Sequence, residues 1–365
     1  MKHPLKSKFT MNVLLAVLIP MLLVSACGGD KAVKYYNLGV EAADRDDIDE
    51  AIRLWRKALQ HRPDDPETHY NLGLALIMKE NYEEAEKEFL AATINNPGDY
   101  QAHYGLGKSL EMQGKYSEAK RSYERSMNLS PEYVPTLLGL ASCAYKTEQY
   151  RSAEGYATQA LKLEPRNIEG NLILAKAFYQ NGNYQAAYVQ LISARKFTRQ
   201  EPDLYQLLGK VAYERHMYDD ALEALLEARA KGLANAELFL YLGRTCLALE
   251  LLADAEKYYR LAIFKERDNA DSWRGLGQTY IKMEKWDEAL EAFNEGARIN
   301  PSNPEIIYLA TSDGVYKSTD RGKSWAAKRT GIAIVPVKNL AMDPVNRQVI
   351  YAATRAGVYK CTDGG

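Results

Sequence analysis

The feature that most constrains this chain is a fixed period. Gly39, Gly73, Gly107, Ala141, Ala175, Gly209, Gly243 and Gly277 follow one another at steps of 34 residues. A second ladder with the same step, Ala51, Ala85, Ala119, Ala153, Ala187, Ala221, Ala255 and Ala289, is alanine at every rung. A period of this size implies a stacked repeat array, in which each unit buries its apolar face only against its neighbours. It overrides the roughly two or three domains that 365 residues would otherwise suggest.

Counted from Ala32 as position 1, position 7 is leucine in every repeat, position 8 is the first ladder and position 20 the second. Position 4 holds Tyr35, His69, His103, Leu137, Asn171, Tyr205, Phe239 and Trp273. Position 24 is large (Trp55, Phe89, Tyr123, Leu191, Leu225, Tyr259, Phe293) except at Ala157. Positions 4, 7, 8 and 11 share one face of a first helix, and 17, 20, 24 and 27 one face of a second. Small residues at 8 and 20 let the two axes approach, while large ones at 4, 7 and 24 fill the space between them. Aromatics at position 17 (Tyr82, Tyr116, Tyr150, Tyr184, Tyr218, Trp286) open the second helix. Pro63, Pro97, Pro131, Pro165 and Pro301 at position 32 close it. Asp65, Asp99, Asn167, Asn235 and Asn269 at position 34 suit the cap of the next first helix.

This pattern resembles the tetratricopeptide repeat, whose signature places a Trp-like residue, Leu-Gly, Tyr, Ala, Phe, Ala and Pro over 34 residues. Eight copies cover residues 32–303 without an insertion. The resemblance implies a mainly α fold: eight helix-turn-helix units, sixteen helices, in a right-handed superhelix about one turn long with a concave groove. Arg199, Leu233 and Arg267 replace the proline in repeats five to seven, so those turns are expected to be less rigidly specified.

In that family the groove is lined from first-helix positions 2, 5, 9, 12 and 13. Here position 5 gives Tyr36, Tyr70 and Tyr104, and position 12 gives Tyr145, Tyr179 and Tyr213. Position 9 gives Lys108, Lys176, Lys210 and Arg244, and position 13 gives Lys146 and Lys282. The expected partner site is thus a tyrosine track with a row of cations through it. Tyrosine suits recognition, and the cations are placed to meet acidic side chains or a C-terminal carboxylate of an extended peptide. The plainer reading, tyrosines as packing and lysines as solvated charges, stands beside it. The Lys-and-Asn clamp of some relatives is not reproduced, and His69 and His103 read as core residues rather than ligands.

The first residues read as a targeting segment. Lys2, Lys6 and Lys8 precede an apolar run, Met11–Val24, that is too short for the ~20 residues of a membrane span. Val24-Ser25-Ala26-Cys27 resembles the lipobox of bacterial lipoproteins. That resemblance implies a signal peptide over 1–26, lipid on Cys27, a tether over 27–31, and, with Gly28 next, an outer-membrane address facing the periplasm. The alternative is an ordinary secretory signal with a chance cysteine. Cys143 and Cys246 lie three repeats apart and read as buried small hydrophobes.

After Asn303 the helical period gives way to one of 43 residues. Ile307-Tyr308-Leu309-Ala310-Thr311 returns as Ile350-Tyr351-Ala352-Ala353-Thr354, and Gly314-Val315-Tyr316-Lys317 as Gly357-Val358-Tyr359-Lys360. These read as β-hairpins over 304–365. Ser318, Asp320, Gly322 and Trp325 stand at the spacing of the Asp-box, a structural turn of sialidase-like and sortilin-like propellers. One blade and part of another cannot close a propeller of typically four to eight blades, so the expectation is a truncated propeller, the alternative being hairpins that survive by packing on the last helix pair.

Lys plus Arg is 47 and Asp plus Glu 48, which excludes the strongly basic surface a nucleic-acid partner requires. No nucleophile–base pair, phosphate loop or metal spacing is present, so the expectation is not an enzyme and requires no cofactor. It is a lipid-anchored envelope scaffold that binds proteins or extended peptides, acidic ones among them, with the membrane engaged through the N-terminal lipid alone. The alternatives are an assembly factor for a pilus, secretion or exopolysaccharide machine, and a truncated propeller protein that binds or hydrolyses glycans.

Overall fold

The computed structural model describes residues 31–299 and, beyond them, six short strands. Residues 31–299 form sixteen helices in consecutive pairs: α1 (Lys31–Asp44) and α2 (Ile48–His61), α3 (Pro66–Met78) and α4 (Tyr82–Asn95), α5 (Tyr100–Met112) and α6 (Tyr116–Leu129), α7 (Val134–Lys146) and α8 (Tyr150–Leu163). There follow α9 (Ile168–Gln180) and α10 (Tyr184–Arg195), α11 (Pro202–Glu214) and α12 (Tyr218–Ala230), α13 (Ala236–Ala248) and α14 (Leu252–Lys265), α15 (Ala270–Lys282) and α16 (Trp286–Ile299). The aromatics of position 17 are each the first residue of a second helix. Each pair is one 34-residue unit.

The turn inside every unit has one conformation. Position 15 is left-handed in all eight: Asp46, Glu80, Gly114, Glu148, Gly182, His216, Glu250 and Glu284, with φ between 59° and 76°. In the second unit the Glu80 amide donates to the Ile77 carbonyl and the Asn81 amide to the Leu76 carbonyl, both at 2.9 Å. This is the Schellman pattern, which satisfies the last carbonyls of the first helix.

The turn between units is held twice. The position-34 side chains cap the next helix: Asp65 accepts from the Thr68 amide (3.0 Å), Asn167 from Gly170 (2.9 Å) and Asn235 from Leu238 (2.7 Å). Asp99 and Asn269 do the same. Where position 4 is His69, His103, Asn171 or Trp273, its side chain also meets the position-32 carbonyl of the unit before it. His103 Nε2 meets Pro97 O at 3.1 Å and Trp273 Nε1 meets Arg267 O at 3.0 Å. The two proline-free turns after repeats five and six follow shortened second helices, of 12 and 13 residues. The turn after repeat seven follows a full 14-residue helix despite Arg267.

Position 8 faces position 24 of its own unit. A methyl added at Gly73 would lie 2.9 Å from the Phe89 ring, and at Gly107 2.7 Å from Tyr123. Where position 8 is alanine the facing residue is smaller: Ala141 packs with Ala157, and Ala175 belongs to one cluster with Leu191. Position 24 also presses on position 6 of the following unit, so Phe89 abuts Gly105 and Tyr259 abuts Gly275, each 2.3 Å from a hypothetical Cβ. After a smaller position 24 (Leu191, Leu225), position 6 is large: Leu207 and Tyr241.

The helices divide into two compact units, one ending at Pro131 and the other beginning at Glu132. The first holds α1–α6 around Trp55, Leu72 and Phe89. The second holds α7–α16, with Leu191, Leu204, Leu225, Leu238, Leu242 and Tyr259 almost wholly enclosed. Cys143 and Cys246 are free and buried, and burial pushes the Cys246 thiol up to about 11.

The strands form two antiparallel three-stranded sheets: β1 (Ile307–Thr311), β2 (Gly314–Ser318) and β3 (Ala326–Lys328); β4 (Val337–Met342), β5 (Ile350–Thr354) and β6 (Gly357–Cys361). Ile307 pairs with Ser318 in the first, and Ile350 with Cys361 at the same register 43 residues on. The signal segment, Cys27, and Asp320, Gly322 and Trp325 lie outside the described residues. Among the described residues no helix is long and apolar enough to cross a membrane, and no cluster of side chains is arranged to hold a metal.

Candidate functional site: the first-helix tyrosine and lysine face

In the first unit the position-5 tyrosines are largely structural. The Tyr36 hydroxyl accepts from Asn71 Nδ2 at 3.0 Å, and burial raises its pKa. Tyr70 is 9% exposed, its ring edge-on to Phe89 at 5.7 Å. Tyr104 leans on Tyr123 at 5.7 Å. Tyr70 therefore packs rather than forming part of an open groove. Lys108 is not an open cation either: its Nζ is 3.1 Å from Glu111, which also accepts from the Tyr123 hydroxyl at 2.8 Å.

The second unit is different. At position 12, Tyr145, Tyr179 and Tyr213 are half-buried, and each ring tilts against the position-17 tyrosine of its own repeat. Tyr145–Tyr150, Tyr179–Tyr184 and Tyr213–Tyr218 are 5.4–5.6 Å apart at 55–57°. Position 12 is the penultimate residue of the first helix and position 17 begins the second, so the left-handed residue between them brings the rings together.

Repeats five to seven also carry a knot that the periodic reading missed. The Tyr179 hydroxyl is 3.0 Å from that of Tyr241 and 3.3 Å from Glu214 Oε1. Lys210 Nζ stands 5.1 Å from the centroid of the Tyr179 ring and 5.3 Å from that of Tyr241, and it donates to Glu237. Glu237 also accepts from Gln206 Nε2 at 2.7 Å. The Arg244 guanidinium lies 5.1 Å from the centroid of the Tyr241 ring and pairs with Asp271 at 2.9 Å. Tyr213 meets Tyr241 edge-on at 5.8 Å. Burial, then the bond to Tyr241, drives the Tyr179 phenol far above its ordinary pKa, so it stays a neutral donor. Burial raises Tyr213 as well.

The expected row of open cations is corrected at Lys210 and Arg244. These two position-9 cations are neutralised by the position-2 carboxylates of the next repeat, a pairing that one repeat read alone does not reveal. Lys108 has Pro135 at the corresponding place and turns to Glu111 instead. Lys282 pairs with Glu250 at 3.0 Å. Lys146 is exposed and Lys176 half-buried. Tyr241, at position 6, was legible only through Leu225, whose modest size leaves room for a large position-6 side chain.

A superposed array of two-helix units with a tyrosine-lined first-helix face defines a helical-repeat solenoid. Tetratricopeptide-repeat family models match residues 36–99, 79–127, 207–269 and 270–303, and the chain belongs to the tetratricopeptide-repeat proteins. A model described as anaphase-promoting complex, cyclosome, subunit 3 matches residues 146–228. Among solved structures, a tetratricopeptide repeat protein from Parabacteroides merdae aligns with TM-score 0.54 at 15% identity over 69% of this chain and 99% of that one. The Cut9–Hcn1 hetero-tetramer of the APC/C aligns with TM-score 0.56 at 17% identity, over 76% of this chain and 55% of that one. Pseudomonas aeruginosa pilF aligns with TM-score 0.52 at 17% identity, over 57% and 94%. No curated protein sequence matches this chain.

Proposed function

We propose that this protein is an interaction scaffold whose first-helix face in repeats four to seven grips protein or peptide partners. The observation that carries the reading is the series of half-buried tyrosine pairs at 34-residue steps, Tyr145–Tyr150, Tyr179–Tyr184 and Tyr213–Tyr218. Each offers apolar area and a hydroxyl at low side-chain entropy cost. The fold neighbour Cut9 is solved as part of a hetero-tetramer with Hcn1, a protein assembly on the same fold. Capture of partners from a cell-envelope extract on the wild type, lost when Tyr145 and Tyr213 are both changed to alanine, is the expected outcome. Undiminished capture by the double variant would sink the reading.

The Val24-Ser25-Ala26-Cys27 sequence supports a lipid anchor on Cys27 that holds the scaffold at the periplasmic side of a bacterial outer membrane. More than one acyl chain makes such anchoring stable. Labelled palmitate is expected to enter the wild type and not Cys27→Ala. Equal labelling removes the anchor and leaves the ordinary secretory signal as the reading of residues 1–26.

The 43-residue step, kept in the pairing of β1–β2 and β5–β6, favours a second module of propeller type with Ser318, Asp320, Gly322 and Trp325 as its structural turn. A glycan-binding or hydrolytic role would reside there. Gene sequence past codon 365 decides it: further 43-residue blades support the propeller, and an immediate stop codon removes it.

A further inference from the structure

Within the second unit the position-9 cations differ in one respect. Lys210 and Arg244 are closed by Glu237 and Asp271. Lys176 occupies the same register one repeat earlier, and its counterpart for that pairing is Asp203, which is exposed. Among the described residues Lys176 has no carboxylate, hydroxyl or ring partner, although it is half-buried. Lys176 is the member of this row left open to a counter-charge, and a carboxylate supplied from outside can make the charge-assisted bond that Glu237 and Asp271 make to its neighbours. Its surroundings favour that. Gln180, one turn along α9, donates to the Tyr145 hydroxyl at 3.4 Å, which puts that hydroxyl beside the same helix face. Lys146 follows Tyr145 and is likewise unpaired and exposed. Beyond this window the Tyr179–Lys210–Tyr241 knot fills repeats five to seven.

We propose that the face formed by Tyr145, Lys146, Lys176 and Gln180 is the charge-selective part of the partner site, and that it takes an extended, acidic peptide segment with one carboxylate on Lys176. The proposal rests on the scaffold reading above and narrows it from a tyrosine face to one window and one partner chemistry. Nucleic acid is the disfavoured alternative, because a chain with 47 Lys plus Arg against 48 Asp plus Glu offers two open lysines here rather than the extended basic surface that phosphate counterion release requires.

The test is panning of a displayed library of random short peptides against the full chain, followed by anisotropy with the enriched peptides and with a single-stranded oligonucleotide. Enrichment of Asp/Glu-rich peptides is expected. Their affinity should fall about tenfold in Lys176→Gln, recover in Lys176→Arg, and stay within about twofold in Lys210→Gln. Enriched peptides without acidic bias that still lose binding in Tyr145→Ala would overturn the acidic assignment and leave the tyrosine scaffold standing. Binding indifferent to both Lys176→Gln and Tyr145→Ala, or failure to enrich any peptide, would overturn both. Tighter binding of the oligonucleotide than of any peptide would overturn the choice of partner class.

Discussion

The hydroxyl of Tyr179 lies 3.0 Å from the hydroxyl of Tyr241, across 62 residues of sequence and one intervening repeat. Two phenols that meet in this way, with Lys210 over both rings, join repeats five and seven directly rather than through repeat six.

Deleting either hydroxyl removes the same bond. Tyr241→Phe should cost about 1 kcal/mol, and Tyr179→Phe somewhat more because its hydroxyl also meets Glu214. The double variant should cost less than the sum by about 0.5–1.5 kcal/mol in a urea-unfolding cycle. Strict additivity would mean that the two hydroxyls do not meet.

His69 and His103 occupy the same position yet should titrate in opposite directions. Burial disfavours the charged form of His69, but its bonds to Glu88 (2.6 Å) and the Pro63 carbonyl outweigh it and raise the pKa. Burial dominates at His103 and lowers it. His69 therefore adds stability that is present below the ordinary value of about 6.5 and is lost as pH rises through its own higher pKa. His103 adds stability present above about 6.5 and lost as pH falls through its lower one. Histidine ring-proton NMR should resolve two midpoints on either side of 6.5, and Glu88→Gln should move only that of His69.

The complementarity of positions 8 and 24 predicts a rescue. Gly73→Ala drives a methyl into the Phe89 ring and should cost about 1–3 kcal/mol. Adding Phe89→Leu recreates the Ala175–Leu191 combination of repeat five, so the pair should be less destabilised than the two single changes sum to. A double variant as unstable as that sum would show that the two sites are not coupled.

Glu80 holds a left-handed backbone at φ 63°, which costs a side-chain-bearing residue about 1–2 kcal/mol. Part of that is recovered by glycine, less its greater chain entropy. Glu80→Gly should raise the unfolding midpoint and Gly114→Ala should lower it. The reverse order in thermal unfolding would show that the turn does not set the cost.

The ladders were legible because small residues at 8 and 20 are a local requirement repeated every 34 residues, and the caps Asp65, Asp99, Asn167, Asn235 and Asn269 because capping acts within three residues of chain. The left-handed turn escaped notice since Asp, Glu or His fills it in six units out of eight, and only Gly114 and Gly182 carry the usual signal. The site was half legible. Periodicity put Lys108, Lys210 and Arg244 on a face but said nothing of Glu111, Glu237 and Asp271, because an ion pair across the stack depends on how adjacent helices overlap. Tyr241 was hidden for the same reason: its place depends on Leu225 in the previous repeat.

The contact of position 24 with position 6 of the next unit also bears on how such a gene can change. Phe89 meets Gly105 and Tyr259 meets Gly275, whereas Leu191 precedes Leu207 and Leu225 precedes Tyr241. A duplication that set repeat two ahead of repeat six would thrust a phenylalanine where Leu207 already stands. Exon-like shuffling of single units is therefore blocked at several seams, and viable recombination must move a repeat together with the first helix that follows it.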